Sequence, residues 1–306
     1  MLALALAAPL VFYPVLLMKL MCYALLAASF NLLLGYTGLL SFGHAAFFGT
    51  AAYLTGYVLK TWSLDPILGI LFGTACAALL GLVVGLLSIR RTGIYFSMVT
   101  LALAQMVFFF YLQARFTGGE DGLQGVPRGT VLGLLDLNDN TNLYYFVLAI
   151  FVLGFWLIYR TVNSPFGHIL TAIRENEPRA ISLSYDVNRF KLLAFVLSAG
   201  LAGLAGATKV LVFQLASLND VSWHLSGEVV LMTLVGGMGT IWGPIVGGAA
   251  IVLVQNELAD KVGSLIGVIM GAIFALCVLL FRRGLMGEIE RLRDRLVGTA
   301  AKTGGR

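Results

Sequence analysis

Runs of about 20 apolar residues recur along almost the whole of this sequence, and the charges fall between them. That pattern constrains the fold more than any motif does. A helix rising ~1.5 Å per residue needs about 20 such residues to cross ~30 Å of hydrocarbon. The chain is 59% hydrophobic and 11% charged, with a mean hydropathy of +0.92, where a soluble domain carries about 25% charged residues. Such a chain cannot cover a surface that faces water, so lipid must be its solvent over most of its area. The fold class implied is all-α, a polytopic transmembrane helical bundle. The 36 glycines against 7 prolines suit helices whose backbones approach closely in a bilayer.

Candidate spans fall near 2–17, 20–34, 39–59, 66–89, 93–114, 143–160, 190–213, 228–238, 241–256 and 263–281, which gives about 8–10 hydrophobic segments. Only Lys19 separates the first two. The stretch around Gly236–Pro244 reads either as two short helices or as a re-entrant hairpin. The N-terminus has no basic region before Lys19, so its apolar run reads as a first short span and not as a cleaved leader.

The charges orient the chain. Arg90–Arg91, the loop 160–191 and the tail after Phe281 are basic and belong on the cytoplasmic side. Loop 115–142, with Glu120, Asp121, Asp136 and Asp139, and loop 214–227, with Asp220, belong on the other. Both termini are expected inside. Residues 1–283 form the transmembrane domain, including a cytoplasmic loop at about 161–190. Residues 284–306 form a tail whose apolar Leu285, Ile289, Leu292 and Leu296 alternate with charge as in a surface-bound amphipathic helix. In loop 160–190, Ser164–Pro165 is a good helix start. Ile169, Ala172 and Ile173 give an apolar stripe, and Pro178 should break the helix. One or two short helices with a charged outer face are expected.

Motifs for chemistry are absent. No G-x-x-x-x-G-K-[ST] is present, so the chain has no nucleotide-binding loop of its own. Gly200, Gly203 and Gly206 lie mid-span with no preceding strand and read as a packing face, as do Gly239, Gly243 and Gly247. His44, His168 and His224 do not cluster, and no metal site is expected. Cys22, Cys76 and Cys277 sit in apolar stretches as small hydrophobes. The net charge of +5 reflects cytoplasmic loops rather than nucleic-acid binding.

Two glycine-rich breaks interrupt the apolar runs. One contains Gly38, Ser41, Gly43 and His44, and the other Gly236, Gly237, Gly239 and Gly243. They read either as tight helix–helix turns or as paired interruptions lining a pathway for solute. Polar residues within spans are few: Asn31, Ser41, His44, Ser97, Thr100, Gln105, Thr233 and Gln255. No acid or base is expected at the middle of a span, and Glu228 falls near a span end. A mid-bilayer charge costs about 2.5–3.5 kcal/mol on insertion scales. Its absence argues against a proton- or sodium-coupled carrier and favours a zwitterionic or neutral solute.

The run AIRENEPRAISLSYDVNRFKLLAFVLSAGLAGLAGA (Ala172–Ala207) resembles the coupling loop and following span of LivM-type permeases, the membrane subunits of branched-chain amino-acid ABC transporters. Residues Asn31–Tyr53, Arg91–Gln105, Gly118–Arg128 and Leu231–Ala249 look like the same family, in the same order. The resemblance implies a permease subunit of an ATP-driven importer for leucine, isoleucine, valine or related hydrophobic amino acids, in a bacterial inner membrane. It implies a second homologous permease subunit, two cytoplasmic ATPases that hold the ATP and magnesium, and a periplasmic binding protein docking near loops 115–142 and 214–227. No cofactor is expected on this chain, and no catalytic residue. The coupling role falls on Arg174, Glu175, Asn176, Glu177, Pro178, Arg179, Ala180, Ser184 and Tyr185. In the general importer pattern a glycine stands four residues after the alanine. Ser184 stands there after Ala180, which puts the sharp turn at issue. A urea or short-chain amide permease is the alternative within this architecture. A self-sufficient channel or secondary carrier, or a membrane-embedded enzyme, lies outside it.

Overall fold

The computed structural model describes residues 13–262 except 132 and 134, together with residue 9 and the short stretches 267–269, 271–272, 275 and 284–287. Most of the expected span 263–281 and most of the amphipathic tail therefore lie outside the described residues. Among the described residues, eight long helices carry the fold: α1 (Pro14–Thr37), α2 (His44–Trp62), α3 (Pro66–Ser88), α4 (Ile94–Gln113), α5 (Asn140–Val162), α8 (Val187–Phe213), α9 (Trp223–Gly236) and α10 (Gly243–Val262). Two short helices, α6 (Pro165–Glu175) and α7 (Glu177–Ser182), fill the loop between α5 and α8. Five of the described helices, α1, α3, α4, α5 and α8, are long and apolar enough to cross a membrane.

Local chemistry sets the helix ends. Pro14 and Pro66 occupy first turns, where a missing N–H costs nothing. Asp65 and Asp139 cap α3 and α5 by accepting from the N–H groups of Ile67 and Thr141. Gly38, in the left-handed region at φ 73°, closes α1 by donating its N–H to Leu34.

Burial divides the bundle into an inner and an outer set. The spans of α1 and α8 are each 61% buried, against 28–33% for α3, α4 and α5. α8 packs against α1, α2 and α3. Small residues permit this: a Cβ added at Gly206 would collide with the Phe48 carbonyl of α2, and one at Gly203 with Ala77 of α3. The outer helices expose Leu71, Leu79 and Leu86 of α3, Met98, Met106 and Phe110 of α4, and Leu153 and Trp156 of α5. A soluble protein does not carry so broad an apolar surface; here it faces hydrocarbon.

One end of the bundle is covered by segments 114–139 and 214–222. Two-residue strands join them: β1 (Leu123–Gln124) pairs antiparallel with β4 (Leu215–Ala216), while β2 (Thr130–Val131) pairs with β3 (Leu135–Asp136). The two loops expected on the outer side are thus tied into one cover. Arg128 adds to the tie, donating to the carbonyls of Leu211 (3.2 Å) and Val212 (3.0 Å) in the last turn of α8 and to Asn140 Oδ1 (3.0 Å). Burial lowers its pKa from the ordinary arginine value, but the guanidinium stays charged at neutral pH. The opposite end carries α6, α7 and the Arg90–Arg91 turn.

Two expectations need correction. The expected break at Lys19 does not exist: α1 runs unbroken through it. Lysine is a good helix former, and its long stem lets the ammonium reach polar surroundings, here the neighbourhood of Glu228. Nor is the interior free of charge. Lys209 of α8 and Asp220 are both buried, 2.7 Å apart. Asp220 also accepts from the Ser217 N–H and hydroxyl, and Lys209 also donates to the Leu215 carbonyl. The pair pins the 214–222 segment onto the bundle.

Two predictions follow from packing and burial. Gly206→Ala should lower the thermal midpoint in detergent, at an overpacking cost of about 1–3 kcal/mol, whereas Gly227→Ala, with open space around it, should not. Lys209→Met should destabilise the chain by about 3–5 kcal/mol by leaving Asp220 buried and unpaired, and Lys209→Met with Asp220→Leu should recover much of that loss in a double-mutant cycle.

Candidate functional site

The loop between α5 and α8 is built as two helices around a hinge. Ser164 caps α6 by accepting from the Gly167 N–H, with Pro165 in the first turn. Asn176 ends α6 and caps α7, its Oδ1 accepting from the Arg179 N–H at 3.1 Å. Pro178 sits in the first turn of α7, where it starts a helix instead of only breaking one. Ile173, Ala180 and Val187 are buried together with Ile169 and Phe190 against them, forming a small core of their own. Lys191 of α8, buried, meets Glu177 at 2.8 Å and holds α7 onto α8.

The turn after α7 resolves the question raised by Ser184. Its φ is +65°, in the left-handed region that glycine favours. The Ser184 N–H donates to Ile181 (2.9 Å) and the Tyr185 N–H to Ala180 (3.2 Å), the pattern of a tight helix C-terminus. The sharp turn is therefore present without the glycine. Among the expected coupling residues, Arg174, Glu175, Asn176, Pro178, Arg179, Ser184 and Tyr185 are exposed, Glu177 is half-buried and Ala180 is buried. Between the helices lies a groove of about 430 Å³, with Ile169, Ala172, Leu183 and Tyr185 as apolar walls and His168, Glu175 and Arg179 among its polar residues.

Arg174 reaches inward from this face. Its Nη1 donates to the Gly35 carbonyl near the end of α1. Its stem lies against Gly38, and its guanidinium lies beside Gly239. One side chain of this face thus lies against both glycine-rich breaks. The breaks also touch each other. Asn31, 2% exposed, donates from Nδ2 to the Thr240 carbonyl (2.8 Å) and accepts at Oδ1 from the Gly239 N–H (2.9 Å). A Cβ at Gly35 would lie 2.7 Å from the Gly239 nitrogen, so only glycine permits this approach. Beyond the break, Thr240 accepts from the Gly243 N–H at 3.1 Å, and Gly236 and Gly247 bring α9 and α10 into backbone contact.

The remaining pathway candidates lie elsewhere. Ser41 and His44 are buried inside this chain. Ser41 Oγ accepts from the Gly43 N–H (3.1 Å), and the Phe42 N–H and Leu40 carbonyl bond to Thr100 and Ser97 of α4. Ser198 gives its hydroxyl proton to the Ser29 carbonyl (2.6 Å), so His44 donates to Ser198 from Nε2 (2.8 Å). Gly236, Gly237, Gly239 and Gly243 gather at the second break and the α9–α10 contact, and Gly38 lies against the Arg174 stem, while Ser41, Gly43 and His44 fasten the start of α2 to α4 and α8. No group of three or more His, Cys, Asp or Glu that could hold a metal occurs among the described residues.

Comparison with known proteins decides what this arrangement belongs to. The family described as the permease component of the branched-chain amino acid transport system matches residues 14–282. The chain belongs to this family. It is similar to the high-affinity branched-chain amino acid transport system permease protein LivM of Escherichia coli K12, with 28% identity over 92% of this chain and 71% of the relative. The LivM of Salmonella typhimurium is 27% identical over 87% and 68%. A more distant relative, the autoinducer 2 import system permease protein LsrC of Klebsiella pneumoniae, is 30% identical over 56% of this chain and 50% of its own length. No solved structure matches the chain. The relatives are named as transport permeases, and this chain is a membrane transport subunit and not an enzyme.

Sequence reasoning named Arg174 as a coupling residue and did not anticipate its inward bond to Gly35. It also left Asn31, Lys191 and Ser198 out of the site. The available signal was a lone amide four residues before Gly35 in an otherwise apolar run. Ser184→Gly should stabilise the α7–α8 turn by up to about 1 kcal/mol, and Ser184→Val should destabilise it by at least as much; amide exchange across 180–187 reads both.

Proposed function

We propose that this chain is the permease half of an ATP-driven importer for branched-chain amino acids, driven from its basic end by cytoplasmic ATPase subunits. The observation that carries the reading is the placement of Arg174. It stands on the exposed α6–α7 face, bonds the Gly35 carbonyl and lies beside Gly239. A partner that grips the α6–α7 groove can therefore move two helix breaks through one side chain.

The basic end, with Arg90, Arg91, Arg160 and Arg174, is cytoplasmic in this reading, and both termini lie on that side. A second homologous permease subunit supplies the other half of the pathway. Two ATPases with their ATP and magnesium sit under the α6–α7 face, and a periplasmic binding protein meets the cover formed by 114–139 and 214–222. This chain supplies alternating access, and the energy comes from rigid-body motion transmitted through α6. The solute assignment rests on the family and on the names of its relatives.

The test is uptake of labelled leucine into liposomes holding the permeases and ATPases, with binding protein supplied. Uptake should require ATP and be competed by isoleucine and valine but not by urea. Uptake without ATPases would replace the reading with a carrier or channel, and competition by urea alone would replace the solute. In the same assay Arg174→Ala should reduce uptake by about tenfold or more, about 1.4 kcal/mol or more in the transport barrier, while the ATPases still co-purify. Uptake within about twofold of the parent, under 0.5 kcal/mol, would remove Arg174 from the coupling path.

A further inference from the structure

At the basic end of the bundle, α3 and α8 part company. Higher up they touch closely: a Cβ at Gly81 would collide with Ala199, and one at Gly85 would come within 2.8 Å of Leu192. Toward their ends, at Ile89–Arg90 and Asp186–Arg189, they diverge and leave a groove of about 280 Å³. Leu86, Ile89 and Leu192 form its apolar wall, and Arg90, Arg189, Asp186 and Asn188 its polar mouth.

We infer that this groove binds the headgroup of an anionic phospholipid. Three observations converge. First, charge: two guanidinium groups stand against one carboxylate, with exposed Arg91 adjacent. Arg189 bonds Asp186 at 2.7 Å, whereas Arg90 has no hydrogen-bond or ion-pair partner among the described residues. A phosphodiester offers two anionic oxygens that the planar fork of an arginine can take in a bidentate pair. Second, depth: the groove lies at the ends of two membrane helices, at the level where headgroups sit. Third, continuity: Leu79, Leu82, Val83 and Leu86 of α3 and Leu193 and Leu197 of α8 are all exposed along the same two helices. Acyl chains fit this surface, and a free anion would gain nothing from it. The inference depends on the chain lying in a membrane and not on which solute it carries.

Native mass spectrometry of the full chain in detergent, titrated with phosphatidylglycerol or with phosphatidylcholine of the same acyl length, tests it. Phosphatidylglycerol should be retained preferentially. Arg90→Ala with Arg189→Ala should weaken retention by about tenfold or more, and Arg90→Lys with Arg189→Lys should keep most of it. Arg115→Ala with Arg160→Ala, the same charge change away from the groove, should leave it intact. Equal retention of both lipids, or equal loss in both double variants, would overturn the site. Displacement of the lipid by millimolar inorganic phosphate would overturn the lipid assignment, because the groove would then be a simple anion site. Since Arg90 and Arg189 are exposed, an unchanged thermal midpoint in the variants separates lost binding from lost folding.

Discussion

A membrane helix that ends away from bulk water leaves backbone N–H and C=O groups to be satisfied by the protein, and each one left unpaired costs several kcal/mol. The structure meets this constraint at the two glycine-rich breaks by having them serve each other. Asn31 offers both halves of its amide to the second break, at the Gly239 N–H and the Thr240 carbonyl, and Arg174 supplies the donor for the Gly35 carbonyl. The breaks are therefore coupled by necessity. Displacing the Gly239 loop strands the Asn31 amide, and withdrawing Arg174 strands a carbonyl. A site assembled in this way has discrete arrangements and resists gradual deformation, as a coupling element requires.

The rest of the bundle makes that coupling mechanical. α1, which ends at the first break, is among the most buried spans and packs against α8, α10 and α5. Glycine and alanine at its neighbours' contacts leave little free volume to absorb a push at α6. At the far end, Arg128, the β1–β4 pair and the buried Lys209–Asp220 pair fix the cover to α8. α8 begins at the α6–α7 face, where Glu177 holds Lys191, and ends under that cover. A single helix thus connects the two surfaces where partners are expected.

Much of this was legible in the sequence, because membrane helices follow a rule of length and polarity that survives without tertiary context. Ser164–Pro165 marked the start of α6, since capping and proline geometry are local, while Pro178, read as a breaker, lies in the first turn of α7. What stayed hidden depended on distance along the chain. Asn31 and Thr240 are over two hundred positions apart, and nothing local says that one satisfies the other. Lys209 passed as part of an apolar run because its partner, Asp220, lies beyond the end of the helix. Lys19 misled in the opposite direction: a charge suggested a break where the α1 backbone loses nothing by continuing. Ser184 was doubted on residue type, yet hydrogen bonds from its own N–H and that of Tyr185 hold it in the left-handed region.

The distribution of charge bears on where the energy enters. A secondary carrier couples to an ion through an acid that changes partner or protonation during the cycle. Asp220 is buried, but it already accepts from Lys209 Nζ and from the Ser217 N–H and hydroxyl. A proton added there would break an ion pair that pins the cover, which makes Asp220 a structural acid and a poor relay. Arg174, by contrast, is exposed on one side and bonded to the interior on the other. Among the described residues, it joins the exposed α6 face to both helix breaks. In the function proposed above, work done on this chain enters through contact at α6, where Arg174 links the exposed face to the two breaks.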